Sequence, residues 1–174
     1  SWVHLDYGNP ESARWLLQTP LLNDAARESL LGQSNRPKLV RMGETVLLIL
    51  RGINHNKDHR PEEMVALRIY ITPDFILSSR RRSLLSEKDV FQQLVLGGGA
   101  ISSADWLVEI CDALTDRAGE FVEELHDQIL ELEEIVLMRG LPANGRLARI
   151  RKQLIMIRRY LSPQRDLVAR LANE

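Results

Sequence analysis

Residues 103–138 read SADWLVEICDALTDRAGEFVEELHDQILELEEIVLM, and residues 146–161 answer them with RLARIRKQLIMIRRYL. In the first stretch the apolar residues step by four and three: Leu107, Cys111, Leu114, Ala118, Phe121 and Leu125, with Leu132 following a polar Gln128. That spacing predicts one long helix, capped by Ser103 and running to about Met138. The second stretch repeats it through Leu147, Ile150, Leu154, Ile157 and Leu161. Between them, Met138 to Gly145 holds two glycines and a proline, so the chain must turn. Two heptad-like helices joined by a short loop make an antiparallel hairpin with a coiled-coil seam. Pro163 is expected to break or kink the second helix and begin a third.

Upstream the pattern changes. Trp2 to Asp6 alternates like a strand, and Asn9-Pro10-Glu11 is a helix start with an Asn cap and proline at the first helical position. Asn23-Asp24 opens another short helix, which Gly32 can close with a left-handed cap. Residues 38–42 and 46–51 read as strands around Gly43-Glu44, followed by strands over 64–71 and 75–78. Ser86 starts a helix that runs into Gly97-Gly98-Gly99. The expected fold class is α+β, an α/β/α sandwich with a mainly antiparallel or mixed sheet and helices on both faces. The helical hairpin and the start of a stalk helix follow it. The corresponding division is an α/β part over 1–100, the hairpin over 101–162 and the further helix over 163–174.

The bulk composition excludes several classes. With 44% apolar and 27% charged residues and a net charge of -1, the balance favours neither nucleic acid nor an anionic membrane. A single cysteine, Cys111, cannot form an internal disulfide and fits a reducing compartment. No apolar run approaches the roughly 20 residues of a membrane span, and no signal peptide opens the chain. The expectation is a soluble cytosolic domain whose two ends both read as cut through an element.

Charge patterning singles out the hairpin. Asp105, Glu109, Asp112, Asp116, Glu120, Glu123, Asp127, Glu131 and Glu134 form an acidic stripe, interrupted by Arg117. The partner helix carries Arg146, Arg149, Arg151, Lys152, Arg158 and Arg159. Two readings stand side by side: solvated faces with salt bridges across the seam, or a row of carboxylates that concentrates divalent cations.

The segment from Leu147 to Arg165, with its Arg151-Lys152 and Arg158-Arg159 pairs before Pro163, resembles the helix junction of CorA-type divalent metal-ion transporters. Trp106 to Asp116, Phe121 to Asp127, Arg60 to Arg68 and Trp2 to Asp6 resemble the zinc-transporting branch of that family. The resemblance implies a homopentamer at the cytoplasmic face of a bacterial inner membrane, with a cytosolic funnel and a long stalk helix leading to the pore. Membrane helices and the family's Gly-Met-Asn signature are not in the chain. The implied role is therefore assembly and metal sensing or gating, with zinc as transported or regulatory ion and contact with the membrane only through a further segment. A magnesium or cobalt transporter on the same scaffold is the nearest rival. A soluble adaptor and an arginine-helix nucleic-acid binder are the others.

Candidate metal ligands follow from side-chain chemistry. Cys111 is a soft thiol beside Asp112, and His126, with Glu123 at i−3, lies about 22 Å further along a straight helix. His55 and His59 flank Asp58 in a polar loop. Asp112, Asp116 and Glu120 supply oxygen ligands. Each of these positions also reads as ordinary core or solvated surface. His4 and Asp6 share one strand face and are expected to reach a neighbour. Arg80-Arg81-Arg82 would grip an anion or another subunit, or end a strand in solvent. Gly97-Gly98-Gly99 lacks the Lys-Ser/Thr of a phosphate loop. No catalytic triad, paired-cysteine zinc motif or dinucleotide fingerprint appears, so no enzyme is expected.

Overall fold

The computed structural model describes residues 1–33, 38–140 and 144–173. The elements run β1 (Trp2–Asp6), α1 (Pro10–Gln18), α2 (Asp24–Leu30), β2 (Lys38–Met42), β3 (Thr45–Gly52), β4 (Val65–Ile71) and β5 (Ile76–Arg80). Then come α3 (Leu85–Val95), α4 (Ser103–Arg139) and α5 (Asn144–Ala172). The sheet order is β1-β5-β4-β3-β2. β2 to β5 form an antiparallel meander, and β1 joins the outer edge of β5 in parallel, so the sheet is mixed.

Strand alternation sends side chains to two faces, and both are covered. Leu47, Tyr70 and Leu77 pack against Leu16, Leu22, Ala26 and Leu30 of the α1–α2 layer. Their neighbours Leu48, Ile69 and Ile76 point the other way, onto Trp106, Ile110 and Leu114 of α4 and Leu167 of α5. Each such buried side chain contributes about 1.5–3 kcal/mol. No helix among the described residues is long and apolar enough to cross a membrane.

Helix ends follow local chemistry. Asn9 accepts from the Glu11 and Ser12 amides, and Asn23 from that of Ala26. Gly32 (φ 92°) and Gly140 (φ 61°) take the left-handed conformation past α2 and at the end of α4. The cap of α4 is Ser102, not Ser103: its hydroxyl accepts from the Asp105 amide, while the Asp105 carboxylate accepts from the Ser102 amide. Helix α3 begins at Leu85 with no side-chain cap. The turn expected over 138–145 lies partly outside the described residues, at 141–143.

Two expectations for the second hairpin helix need correction. Leu147 and Leu154 are 52% and 40% exposed, while Ile150 and Ile157 carry the seam, with Leu161 partly buried. And α5 runs through Pro163 without a third helix beginning there. Pro163 and Arg159, whose carbonyl lacks an N–H partner there, are both exposed residues. The continuation is held by its contacts: Leu167 enters the core, and Gln164 pairs with both backbone groups of Arg51.

That pairing closes a sheet edge. Among the described residues β2 pairs with β3 as far as Ile49, two residues short of Arg51. The Gln164 side chain accepts from the Arg51 amide at 2.7 Å and donates to its carbonyl at 3.0 Å, acting as one more peptide unit. Gln164→Leu should lower stability by about 2 kcal/mol, because two buried backbone groups lose their partners. Urea unfolding with an unchanged slope and a lower midpoint checks this; an unchanged midpoint would mean the edge is closed some other way.

Candidate functional site

α4 has two working faces. One is buried as far as Leu132, first on the sheet through Trp106, Ile110 and Leu114, then on α5 through Phe121, Leu125 and Leu132. The other carries acidic side chains, and its first half faces α3. Between α3 and α4 lies a groove of about 480 Å3 whose charged lining is Asp89 of α3 with Glu109, Asp112, Asp116, Arg117 and Glu120 of α4.

Arg117 bridges this groove. Its Nη2 and Nε donate to the two oxygens of Asp89 at 2.9 and 3.0 Å, and its Nη1 reaches Glu120 Oε2 at 3.4 Å. The hydrogen bonds to Asp89 raise the already high guanidinium pKa, with burial opposing and the charges of Asp89 and Glu120 adding to the rise. Glu109 Oε2 is buried with no hydrogen-bond partner among the described residues.

α3 is held in place by a buried charge cluster. Glu87, its side chain 5% exposed, pairs with His4 Nε2 of β1 and with Arg80 Nε of β5, the latter at 3.1 Å. Arg80 Nη1 also reaches Asp6 at 3.4 Å. Ser78 Oγ accepts from Trp2 Nε1 at 2.7 Å and lies 2.7 Å from His4 Nδ1. His4 and Asp6 thus meet neighbouring elements as their shared strand face suggested.

The remaining candidates are dispersed. Cys111 lines a separate, mostly apolar groove of about 730 Å3 between α4 and α5, whereas Asp112 lines the α3–α4 groove. Burial first, and the Asp112 charge second, push the Cys111 thiol from 9.0 up to about 11, so it is protonated at neutral pH, unlike the thiolate a metal requires. Glu123 and His126 are exposed further along α4, and His55 is exposed in the β3–β4 loop. His59 Nδ1 lies 2.9 Å from Arg82 Nη1 and 3.4 Å from Glu63 Oε2. Among the described residues, no three His, Cys, Asp or Glu side chains converge on a position that could hold a metal ion. Across the hairpin, Arg146 pairs with Glu131 at 3.1 Å, while Arg149, Arg151, Lys152, Arg158 and Arg159 make no ion pair among the described residues.

Sequence reasoning missed Asp89 and Glu87. Their partners are 28 residues away on α4 and on two strands, and no local pattern announces such pairings.

The fold is a mixed sheet covered on both faces and followed by two long helices, the first with an acidic flank. The chain belongs to the family described as CorA-like Mg2+ transporter protein, whose profile matches residues 1–174. It is 50% identical over 173 residues to the zinc transport protein ZntB of Yersinia enterocolitica, covering 99% of this chain and 53% of that protein. The chain thus spans about half the length of that relative. The full-length CmaX protein matches in structure with a TM-score of 0.94 at 34% identity, over 99% of this chain and 54% of that one. The ZntB cytoplasmic domain from Vibrio parahaemolyticus matches with a TM-score of 0.83 at 25% identity, over 97% of this chain and 68% of that one.

The state of Cys111 is measurable. A small alkylating reagent should label it slowly at neutral pH and reach half its maximal rate only near pH 11, while the unfolded chain should be at half its maximal rate near pH 9. The sign follows from linkage: the folded pKa lies above the unfolded one, so the thiol's contribution is intact below pH 9 and is lost as pH rises to 11. A native-state midpoint already at pH 9 would show that the thiol is not buried in the α4–α5 groove.

Proposed function

We propose that this chain is the cytoplasmic portion of a bacterial inner-membrane divalent-metal transporter, with zinc as the transported ion. The observation that carries this reading is the 50% identity to a zinc transport protein over 99% of the chain. The likeness to a ZntB cytoplasmic domain supports the cytoplasmic placement. In this reading the pore lies outside these 174 residues, the chain assembles as a homopentamer, and residues 163–174 begin the stalk that leads to the membrane.

Its regulatory role is metal sensing at the α3–α4 groove. Asp112, Asp116 and Glu120 are exposed there and offer oxygen ligands to a divalent cation. A cation in this groove competes with Arg117 for Glu120 and Asp89, loosening the link between α3 and α4. Cys111, Glu123, His126, His55 and His59 stand outside the groove and are assigned no part in it.

A magnesium or cobalt transporter is the second reading. The carboxylate lining of the groove favours it, since hard cations take oxygen ligands and zinc also accepts nitrogen and sulfur.

Parallel calorimetric titrations with zinc and magnesium separate the two. Saturable zinc binding with weaker magnesium binding is expected; magnesium binding without a zinc preference shifts the assignment to the second reading. The triple variant D112N/D116N/E120Q should weaken metal binding at least about tenfold, since three carboxylates lining the groove lose their charge. Its stability should stay within about 0.5 kcal/mol per exposed site. If the full-length transporter carrying these substitutions keeps an unaltered metal response, the stripe is a solvated face and the sensing role fails.

A further inference from the structure

Beyond the sheet, the two long helices turn opposite charges away from the seam they share. That seam is Phe121, Leu125 and Leu132 of α4 against Ile150 and Ile157 of α5. On the side of α5 away from it, Leu147, Arg151, Ile155 and Arg159 follow one another in steps of four. They lie along a surface groove of about 700 Å3 whose lining comes from α5 alone. On the side of α4 away from the seam, Asp127, Leu130, Glu134 and Leu137 step by three and four.

All eight residues are exposed. Ile155, Leu130 and Leu137 are 58%, 49% and 83% exposed, a large apolar loss to water on a charged surface. Arg151, Arg159, Asp127 and Glu134 make no ion pair among the described residues, while Arg146 and Glu131, paired with each other, stand outside both rows.

Read from opposite ends, the two rows match. Leu147, Arg151, Ile155 and Arg159 would meet Leu137, Glu134, Leu130 and Asp127 in that order, apolar with apolar and base with acid. The first row spans about 18 Å and the second about 15 Å, so the pairs stay in step within the reach of a side chain. Within one hairpin the seam lies between the rows and keeps them apart, so a second copy must bring the complement. Exposed ion pairs are weak by themselves. The apolar pairs therefore supply most of the attraction, and the charges fix register and partner.

The direction of docking also fits an assembly. α5 returns antiparallel along α4, so α5 docked antiparallel on the α4 of a second copy leaves both hairpins pointing the same way. Such a head-to-tail contact generates a ring when its rotation closes. An anionic membrane is the poorer occupant of the α5 row, because a net charge of -1 gives the chain no general attraction to it.

We propose that the outer row of α5 on one copy docks antiparallel on the outer row of α4 on the next. This contact deepens the homopentamer reading and rests on it for the number of copies.

The test is analytical ultracentrifugation of the purified chain at low and high salt. It is repeated on R151E/R159E, on D127K/E134K and on an equimolar mixture of the two variants. None of these positions lines the α3–α4 groove, and all are exposed, so the thermal midpoints should stay close to that of the parent chain. The parent should self-associate reversibly, and less so in high salt. Each variant alone should associate at least about tenfold more weakly, since attractive pairs become like-charge pairs. The mixture should recover association, because the arginines kept by D127K/E134K again find the acids kept by R151E/R159E. A monomeric parent, variants that associate as the parent does, or a mixture without recovery overturns the proposal. A monomeric parent that sediments with phosphatidylserine vesicles, and loses this in R151E/R159E, also overturns it and gives the α5 row to a membrane. Charge-dependent association that closes on a number other than the pentamer supports this contact and sinks the homopentamer reading.

Discussion

Helix α4 is too long for the sheet it covers, and much of the architecture follows from that mismatch. Its 37 residues span about 55 Å, against roughly 26 Å for the eight residues of β3, the longest strand. The first half buries Trp106, Ile110 and Leu114 on the sheet. Beyond Ala118 the same apolar stripe overhangs and needs another cover. α5 supplies it with Ile150 and Ile157, and Ile53 and Met64 extend the cluster from the sheet side. The return helix is therefore a requirement of burial, and Gln164 ties it back to the open edge of β3.

With one stripe of α4 committed to burial, its carboxylates are left on the other side. Where α3 lies alongside, they form a walled groove; further out, Glu123, Asp127 and Glu134 face solvent. Arg117 decides how that groove behaves. An internal cation already bonded to Asp89 makes the groove less anionic than its carboxylates alone suggest. In the metal-sensing proposal, a cation entering it would work against a bidentate guanidinium and so act on the α3–α4 contact. The position of α3 is set in turn by Glu87 between His4 and Arg80, so the wall of the groove is anchored to both strands of the parallel pair.

Much of this was legible in the residues. Asn9-Pro10 and Asn23 announce their helices because capping is local chemistry. The almost wholly apolar run from Val46 to Leu50 announces a strand covered on both faces, and the four-three steps from Leu114 to Leu132 announce the hairpin. The misreadings arose where a distant contact overrode a local preference. Pro163 disfavours a helix interior, yet Gln164 and Leu167 hold α5 to the sheet across it. Leu147 and Leu154 keep the right spacing, but the seam passes through Ile150 and Ile157 and leaves them half-open to solvent.

The sequence by itself determined which segments become helices and strands, which stripe of each is apolar, and the family to which the chain belongs. These properties reside in spacing, capping and residue order, all read within a turn or two of the chain. Only the tertiary structure decided that Cys111 and Asp112 open onto different grooves and that Asp89 meets Arg117. Such meetings depend on how strands are ordered and where helices cross them. Side chains far apart in the chain become neighbours only when the packing of apolar faces fixes their elements in space.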